Sequence, residues 1–419
     1  MTAAGPRSVV VVGGGVIGLL CAHYLRRGGA DVTVVERDRL GRGCSWGNLG
    51  WVCPSISVPL PAPGLDLRSM TGMLERDSPL YIRASALPRL GKWLLSFRAH
   101  CNETDFAAGS TALRGLNEPT GALFDELAAD GIEFEYAKAG LTFVSTEAKA
   151  LRHEKDMIED VGAARVEEWN AEELASREPD LPATFTGALH VSTDRHVRAD
   201  SLCTGVSAAL VASGGRVLEG FDVRRLRHEG DRLVAVEGPD DSIEADAFVL
   251  AVGAETGMLA SSLGTRLPLQ AGKGYSLSIR DPRVRLNSPL YLCDQKVGLT
   301  PYEGMLRVGG TMELSGINDR LDRGRIESIR RVVSPVIPDA FEGSEVVEWV
   351  GMRPLTPDGL PVIGAIPGVR NAFVATGHQM LGVTLAPSTG HALAGLMLEG
   401  RSDVDLSPFS PDRFAVGRR

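Results

Sequence analysis

The stretch Val9-Val10-Val11-Val12-Gly13-Gly14-Gly15-Val16-Ile17-Gly18 decides the fold. Four consecutive β-branched apolar residues suit a strand buried on both faces. The glycines turn the chain. Beyond them Ile17, Leu20, Cys21, Tyr24 and Leu25 follow the i, i+3, i+4, i+7, i+8 spacing of an amphipathic helix. Gly28-Gly29 ends that helix, and Val32 to Val35 reads as a second strand closed by Glu36. Strand, helix and strand in this order require a parallel sheet. In Gly13-x-Gly15-x-x-Gly18, Gly13 permits a tight turn, Gly15 lets a pyrophosphate approach the backbone, and Gly18 lets the helix pack close to the strand. The helix N-terminus then faces the diphosphate. Glu36 accepts hydrogen bonds from an adenosine ribose and repels a 2′-phosphate, which disfavours NADP. A glycine triplet alone is equally a packing turn; joined to this strand, helix and acidic end, it reads as a dinucleotide site.

The 419 residues suggest two to three units at roughly 150 residues per domain. Hydrophobic residues at 43% and charged residues at 23% describe ordinary globular material. The net charge of −9 argues against a nucleic-acid partner, which selects a basic footprint. Cys21, Cys44, Cys53, Cys101, Cys203 and Cys293 include no CxxC spacing, so neither a zinc ribbon nor a redox dithiol is indicated. The eight histidines are dispersed, and His190 and His196 lack a third ligand, so no metal site is expected. The apolar run Val9 to Ala22 is too short to span a bilayer, is interrupted by glycines, and lacks a signal-peptide cleavage pattern. The expectation is a cytoplasmic chain without an integral membrane segment, with peripheral attachment left open.

Cys44 to Gly64 carries Pro54, Pro59, Pro61 and Pro63 and reads as a long functional loop. Ser201 to Ala212 reads as a helix, with strands at Arg216 to Glu219, Arg232 to Val236 and Ala247 to Val252. Residues 270–350 show short strands with Gly/Pro punctuation, hence an antiparallel sheet. Thr384 to Glu399 reads as a closing helix. The expected architecture is α/β (α+β overall). A Rossmann-like nucleotide-binding domain, residues 1–85, 187–264 and 350–419, is interrupted by a substrate domain, residues 86–186 and 265–349.

Further segments carry a resemblance. They are Gly43-Cys44-Ser45-Trp46-Gly47-Asn48-Leu49-Gly50, Pro59 to Gly64, Lys273-Gly274-Tyr275-Ser276-Leu277, Gly309-Gly310-Thr311-Met312-Glu313, Arg353 to Pro361, and Gly377-His378 through Gly390. With the fingerprint, they resemble bacterial D-amino-acid dehydrogenases of the D-amino-acid oxidase superfamily over nearly the whole chain. The run Gly377 to Gly390 looks closer to relatives that oxidise D-hydroxyproline, glycine or other secondary amines. The resemblance implies non-covalent FAD. It places Gly13, Gly15, Val16, Ile17, Gly18, Glu36, Arg37, Cys44, Ser45, Asn48, Leu49, Gly50, Val223, Gly253, Gly377, Gln379, Met380, Leu381, Gly382 and Val383 around it. His378 belongs to the segment facing the flavin N1/C2=O edge, with a helix beginning near Pro387 adding its positive end.

Arg353 ends a strand-like run, Val346 to Met352, before a Pro357-Asp358-Gly359 turn. From there a guanidinium can clamp a carboxylate through two parallel N–H bonds. The plainer reading is an ion-pair arginine. Matching arginines in the superfamily hold the substrate carboxylate. Tyr275 and Tyr302 are candidate supplements to the clamp, and His378 a candidate general base, each against the plainer role of a packed residue. The implied reaction is oxidative deamination of an amino acid, D-amino acid favoured, with hydride passing from the α-carbon to flavin N5 to leave an imine and then a 2-oxo acid. The electron acceptor (oxygen, a quinone or a protein) stays open. The rivals are an oxidase of glycine, sarcosine, D-hydroxyproline or another secondary amine, a biosynthetic tailoring flavoenzyme, and an FAD-binding subunit of a multi-chain amine dehydrogenase.

Overall fold

A computed structural model describes residues 5–64, 72–76, 78–162 and 165–415. Ser8–Val12 is the strand of the opening run, and Val16–Arg27 the helix, capped at Gly28. Asp31–Glu36 lies parallel to Ser8–Val12. The six-stranded sheet runs Arg216–Glu219, Asp31–Glu36, Ser8–Val12, Ala247–Leu250, Ala372–Thr376, Val362–Ala365, and the last pair is antiparallel. The valine run is buried on both faces. Val9 and Val11 pack with the helices that carry Leu19, Leu20, Leu202 and Leu393, while Val10 and Val12 pack with Leu226, Leu233 and Val236 of a small antiparallel sheet. Alternate residues of one strand thus supply two cores, as the two-residue period dictates.

The second large element is a nine-stranded sheet. Its order is Glu345–Leu355, Gln270–Arg280, Met305–Leu314, Val297–Tyr302, Leu290–Leu292, Leu141–Ser145, Gly187–Val191, Val166–Asn170, with Leu80–Ile82 beside Met305–Leu314. Residues 141–145 and 290–292 pair directly, although they are far apart in the chain. Four details differ from the sequence reading. Gly187–Val191 pairs with Leu141–Ser145 inside the nine-stranded sheet, not with the parallel one. Glu345–Leu355 is one continuous strand across residue 350, because all its residues from 345 to 355 pair with Gln270–Arg280. Leu113, Leu116, Leu123, Phe124 and Leu127, from the helices Glu103–Asn117 and Thr120–Ala129, share the core of the parallel sheet. The last long helix begins at Gly382, so Pro387 lies inside it. Among the described residues no helix is long and apolar enough to cross a membrane, and all six cysteines are free.

Helix Gly382–Glu399 lies against helix Val16–Arg27 at a very close approach. A side-chain carbon on Gly390 would come within 2.6 Å of the Leu20 backbone. Gly390→Val forces these helices apart. It should cost about 1–3 kcal/mol by overpacking, read as a lower denaturation midpoint.

Candidate functional site

The C-terminal ends of the parallel strands open into a cavity of about 480 Å³, within the size range of ligand sites. Gly13 turns at φ +110°, where a side-chain carbon would meet the Ala251 carbonyl at 2.5 Å. A carbon on Gly18 would overlap the Gly13 carbonyl, so Gly18 serves helix-on-strand packing and does not line the cavity. A carbon on Gly15 meets Ser45 Oγ at 3.5 Å and nothing else nearer than 4 Å. This leaves room for a ligand against the backbone. Ser45 Oγ accepts from the Val16 N–H at 3.0 Å. Neither helix Val16–Arg27 nor helix Gly382–Glu399 has an acidic residue in its first turn or a side-chain cap on its N-cap residue. Both N-termini border the cavity through Gly15, Val16, Ile17, Gly382 and Val383. Helix N-termini carry unspent N–H donors and positive potential, so two anionic groups suit the two positions.

At the other end Glu36 Oε2 accepts from the Gly14 N–H at 2.8 Å and Oε1 from the Asp38 N–H at 3.1 Å. A carboxylate has further lone pairs, so ribose hydroxyls can still be bound. Arg37, Val223 and Gly253 line this region, and Arg37 pairs with Glu255 at 2.6 Å. Sequence reasoning missed Phe221, Met258 and Arg42 here. The Arg42 guanidinium sits 3.5 Å over the Trp46 ring, and its place beside the Ser/Asn loop was the available signal.

Loop 43–50 forms one wall through Cys44, Ser45 and Asn48. The nine-stranded sheet pins it from behind. Ser276 Oγ donates to the Gly47 carbonyl at 2.9 Å, Thr300 Oγ1 and Tyr302 Oη to the Leu49 carbonyl at 2.9 and 2.7 Å, and Arg307 Nη1 to the Asn48 carbonyl at 2.8 Å. Leu49 and Gly50 therefore act through this anchorage and do not line the cavity. Tyr302 is a loop anchor with its hydroxyl committed, not a cavity residue. Arg307, 3% exposed, was not anticipated. A buried arginine in the run Met305 to Gly310 was its signal.

Tyr275 Oη donates to Glu313 Oε2 at 2.6 Å, and Glu313 also pairs with the buried Lys273 and the part-exposed Arg83. Tyr275 points to the face opposite Arg353, since Arg353 pairs with Gly272 and neighbouring strand residues alternate sides. Neither Tyr275 nor Arg353 lines the cavity; on Glu345–Leu355 the lining residues are Val350, Met352 and Pro354, which point to the side opposite Arg353. His378 and Gln379 line the cavity, whereas Gly377, Leu381 and the half-exposed Met380 do not. His378 Nε2 lies 3.0 Å from Thr389 Oγ1, and Nδ1 is buried without a partner. Burial pushes its imidazole down to about 3. Burial thus disfavours its imidazolium form, which weighs against a general-base role.

Arg353 Nη1 donates to the Thr311 carbonyl at 3.1 Å, and no carboxylate among the described residues pairs with its guanidinium. Burial draws it below the ordinary arginine value, with Cys44 acting in the opposite sense. Burial likewise pushes the Cys44 thiol up to about 11, against the pull of Arg353. Among the described residues no group of three metal-ligating side chains occurs.

A parallel sheet with a glycine turn, an acidic strand end and two helix N-termini bordering one cavity defines a dinucleotide-binding protein. Residues 8–396 match the family described as FAD dependent oxidoreductase, and the chain belongs to it. It is an enzyme that uses FAD. It is 33% identical over 420 residues, 98% of this chain and 99% of the relative, to a D-amino acid dehydrogenase of Methylobacterium radiotolerans. The solved structure of glycine oxidase from Bacillus cereus superposes with a TM-score of 0.75 at 21% identity, covering 99% of both chains. Iminodiacetate oxidase from Chelativorans sp. BNC1 superposes with a TM-score of 0.74 at 23% identity, covering 96% of this chain and 98% of the other.

Glu36→Ala should weaken FAD retention about ten- to hundredfold. One charge-assisted hydrogen bond is worth about 1.5–3 kcal/mol, and about 1.4 kcal/mol is tenfold. Titration of the apoprotein with FAD, followed by flavin fluorescence, checks this.

Proposed function

We propose that the chain oxidises the C–N bond of an amino acid, with D-amino acids favoured, and that Arg353 holds the substrate carboxylate. The observation that carries this reading is the unpaired guanidinium. A desolvated cation without an anion is costly, and a substrate carboxylate supplies the anion through two parallel N–H bonds. The names of the relatives support it chemically: D-amino acids, glycine and iminodiacetate all bear a carboxylate on the carbon next to nitrogen.

The labour divides between the two large sheets. The parallel sheet and its helix N-termini hold the dinucleotide; the nine-stranded sheet presents Arg353. FAD, when bound, supplies the acceptor for two electrons and the α-hydrogen. The chain's residues orient the substrate and exclude water. Burial disfavours a protonated His378, and Tyr275 and Tyr302 are committed to protein partners, so the reading assigns no side-chain base and lets the substrate amine lose its proton to water. The imine product hydrolyses to a 2-oxo acid and ammonia.

Arg353→Lys keeps the charge and loses the planar fork. Anaerobic flavin reduction by D-amino acids should become about ten- to hundredfold less efficient, from about 1.5–3 kcal/mol per charge-assisted bond. Reduction by the matching decarboxylated amines and the FAD content should not change. Equal rates for wild type and variant on both substrates would make Arg353 structural and refute the reading.

A further inference from the structure

The guanidinium of Arg353 rests in a seat made by the backbone of two residues, Gly274 and Thr311. Gly274 is the floor. Strand Gln270–Arg280 pairs with Glu345–Leu355 so that Gly272 faces Arg353 and Gly274 faces Gly351. Residues opposite one another point to the same side of a sheet, so Arg353, Gly351, Gly272 and Gly274 share one face. A side-chain carbon on Gly274 would overlap the Arg353 Cζ, Nη1 and Nη2 atoms. The fork therefore lies flat across the bare backbone of Gly274.

Thr311 is the wall. The pairing between Gln270–Arg280 and Met305–Leu314 shifts register between Gly274 and Tyr275, leaving Thr311 as the extra residue between Gly310 and Met312. Thr311 has φ +57°, which is rare for a β-branched residue. Its carbonyl accepts from Arg353 Nη1 at 3.1 Å. Its hydroxyl is buried without a partner, so the side chain offers no local compensation for that conformation. Bulges next to active sites re-aim groups, and strained residues cluster where geometry matters. The bulge sits directly across from the floor glycine, on the strand adjoining it.

We propose that Gly274 and Thr311 are positioning residues that fix the plane and direction of the Arg353 fork. The floor removes the atoms that would lift the guanidinium, and the bulge carbonyl takes one Nη1 hydrogen. The remaining N–H groups of the guanidinium are thereby presented together to a carboxylate. This inference rests on the reading of Arg353 as the carboxylate clamp.

The test uses the FAD-loaded enzyme and four variants: Gly274→Ala, Thr311→Gly, deletion of Thr311, and Arg353→Lys. Each is mixed anaerobically with D-alanine, D-proline and their decarboxylated counterparts ethylamine and pyrrolidine. The rate of flavin reduction is measured against substrate concentration. Gly274→Ala should raise the half-saturating concentration of the amino acids by about ten- to hundredfold, with the limiting rate changed much less and the amines unaffected. Thr311→Gly keeps the left-handed backbone and the carbonyl, so its half-saturating concentration for the amino acids should rise far less than that of Gly274→Ala; an equal rise would refute the carbonyl as the wall. Deletion of Thr311 should behave as Gly274→Ala does. Deletion can also prevent folding, in which case Gly274→Ala, a single added methyl, decides the matter. If Arg353→Lys is impaired on the amino acids while Gly274→Ala matches wild type, the seat is refuted and the clamp stands. If Arg353→Lys itself matches wild type on every substrate, the clamp reading falls and the seat with it. If Gly274→Ala slows amines and amino acids alike, its effect is general and positioning is refuted.

Discussion

The eight residues from Gly43 to Gly50 tie the two large sheets together across the cavity. On one side Ser45 Oγ accepts the Val16 N–H at the start of the first helix. On the other, Ser276, Thr300, Tyr302 and Arg307 donate to the carbonyls of Gly47, Leu49 and Asn48. A typical hydrogen bond adds only about 1 kcal/mol net, but a buried acceptor left unmade costs about 1–3 kcal/mol. The loop has little regular structure to satisfy its own backbone. Its carbonyls are met by side chains of the nine-stranded sheet, and in meeting them that sheet is held over the dinucleotide cavity. The position of Arg353 relative to the cavity depends on this anchorage.

Strand Gln270–Arg280 shows how one element separates two kinds of electrostatic environment. Lys273 and Tyr275 point to a side where Glu313, Arg83 and Asp322 form a closed set of pairs. Gly272, Gly274 and Ser276 point to the other side, where Arg353 has only a carbonyl. Paired polar networks help to rigidify what they hold, and the paired Lys273 and Glu313 at the buried core of this one sit on the two adjacent strands that carry Gly274 and Thr311.

This contrast also explains what the sequence made legible. The strand, turn and helix from Val9 to Leu25 were readable because each cue lies within one turn or one pleat of its neighbour. The cavity glycines and Glu36 followed from the same local logic. The tyrosines did not, because the fate of a hydroxyl is set at long range: Tyr302 meets Leu49 across 253 residues of chain. Gly187–Val191 went to the unexpected sheet for a similar reason, since its partners at 141–145 are remote in sequence. Pro387 misled in another way. It cannot donate to the helical ladder and reads as a first-turn residue, yet the helix starts at Gly382 and tolerates the missing bond within a fully buried turn.

The protein carries a net charge of −9, yet the groups it must hold include a diphosphate and, in the proposed reaction, a carboxylate. Surface lysines and arginines are not the means by which it does so. At the ribose end the cavity is lined by Glu36, Asp38, Asp222 and Glu255, with Arg37 and Arg42 among them. Elsewhere its lining includes the acidic Asp319 and His378, whose imidazolium form burial disfavours. What remains positive is oriented backbone: the first turns of Val16–Arg27 and Gly382–Glu399, neither containing an acidic residue. Fixed dipoles need no counter-ions and are screened less when buried. The chain can therefore stay acidic on its surface and still bind anions inside. In the proposed reaction the substrate carboxylate is met by Arg353, a buried guanidinium that no carboxylate among the described residues pairs with.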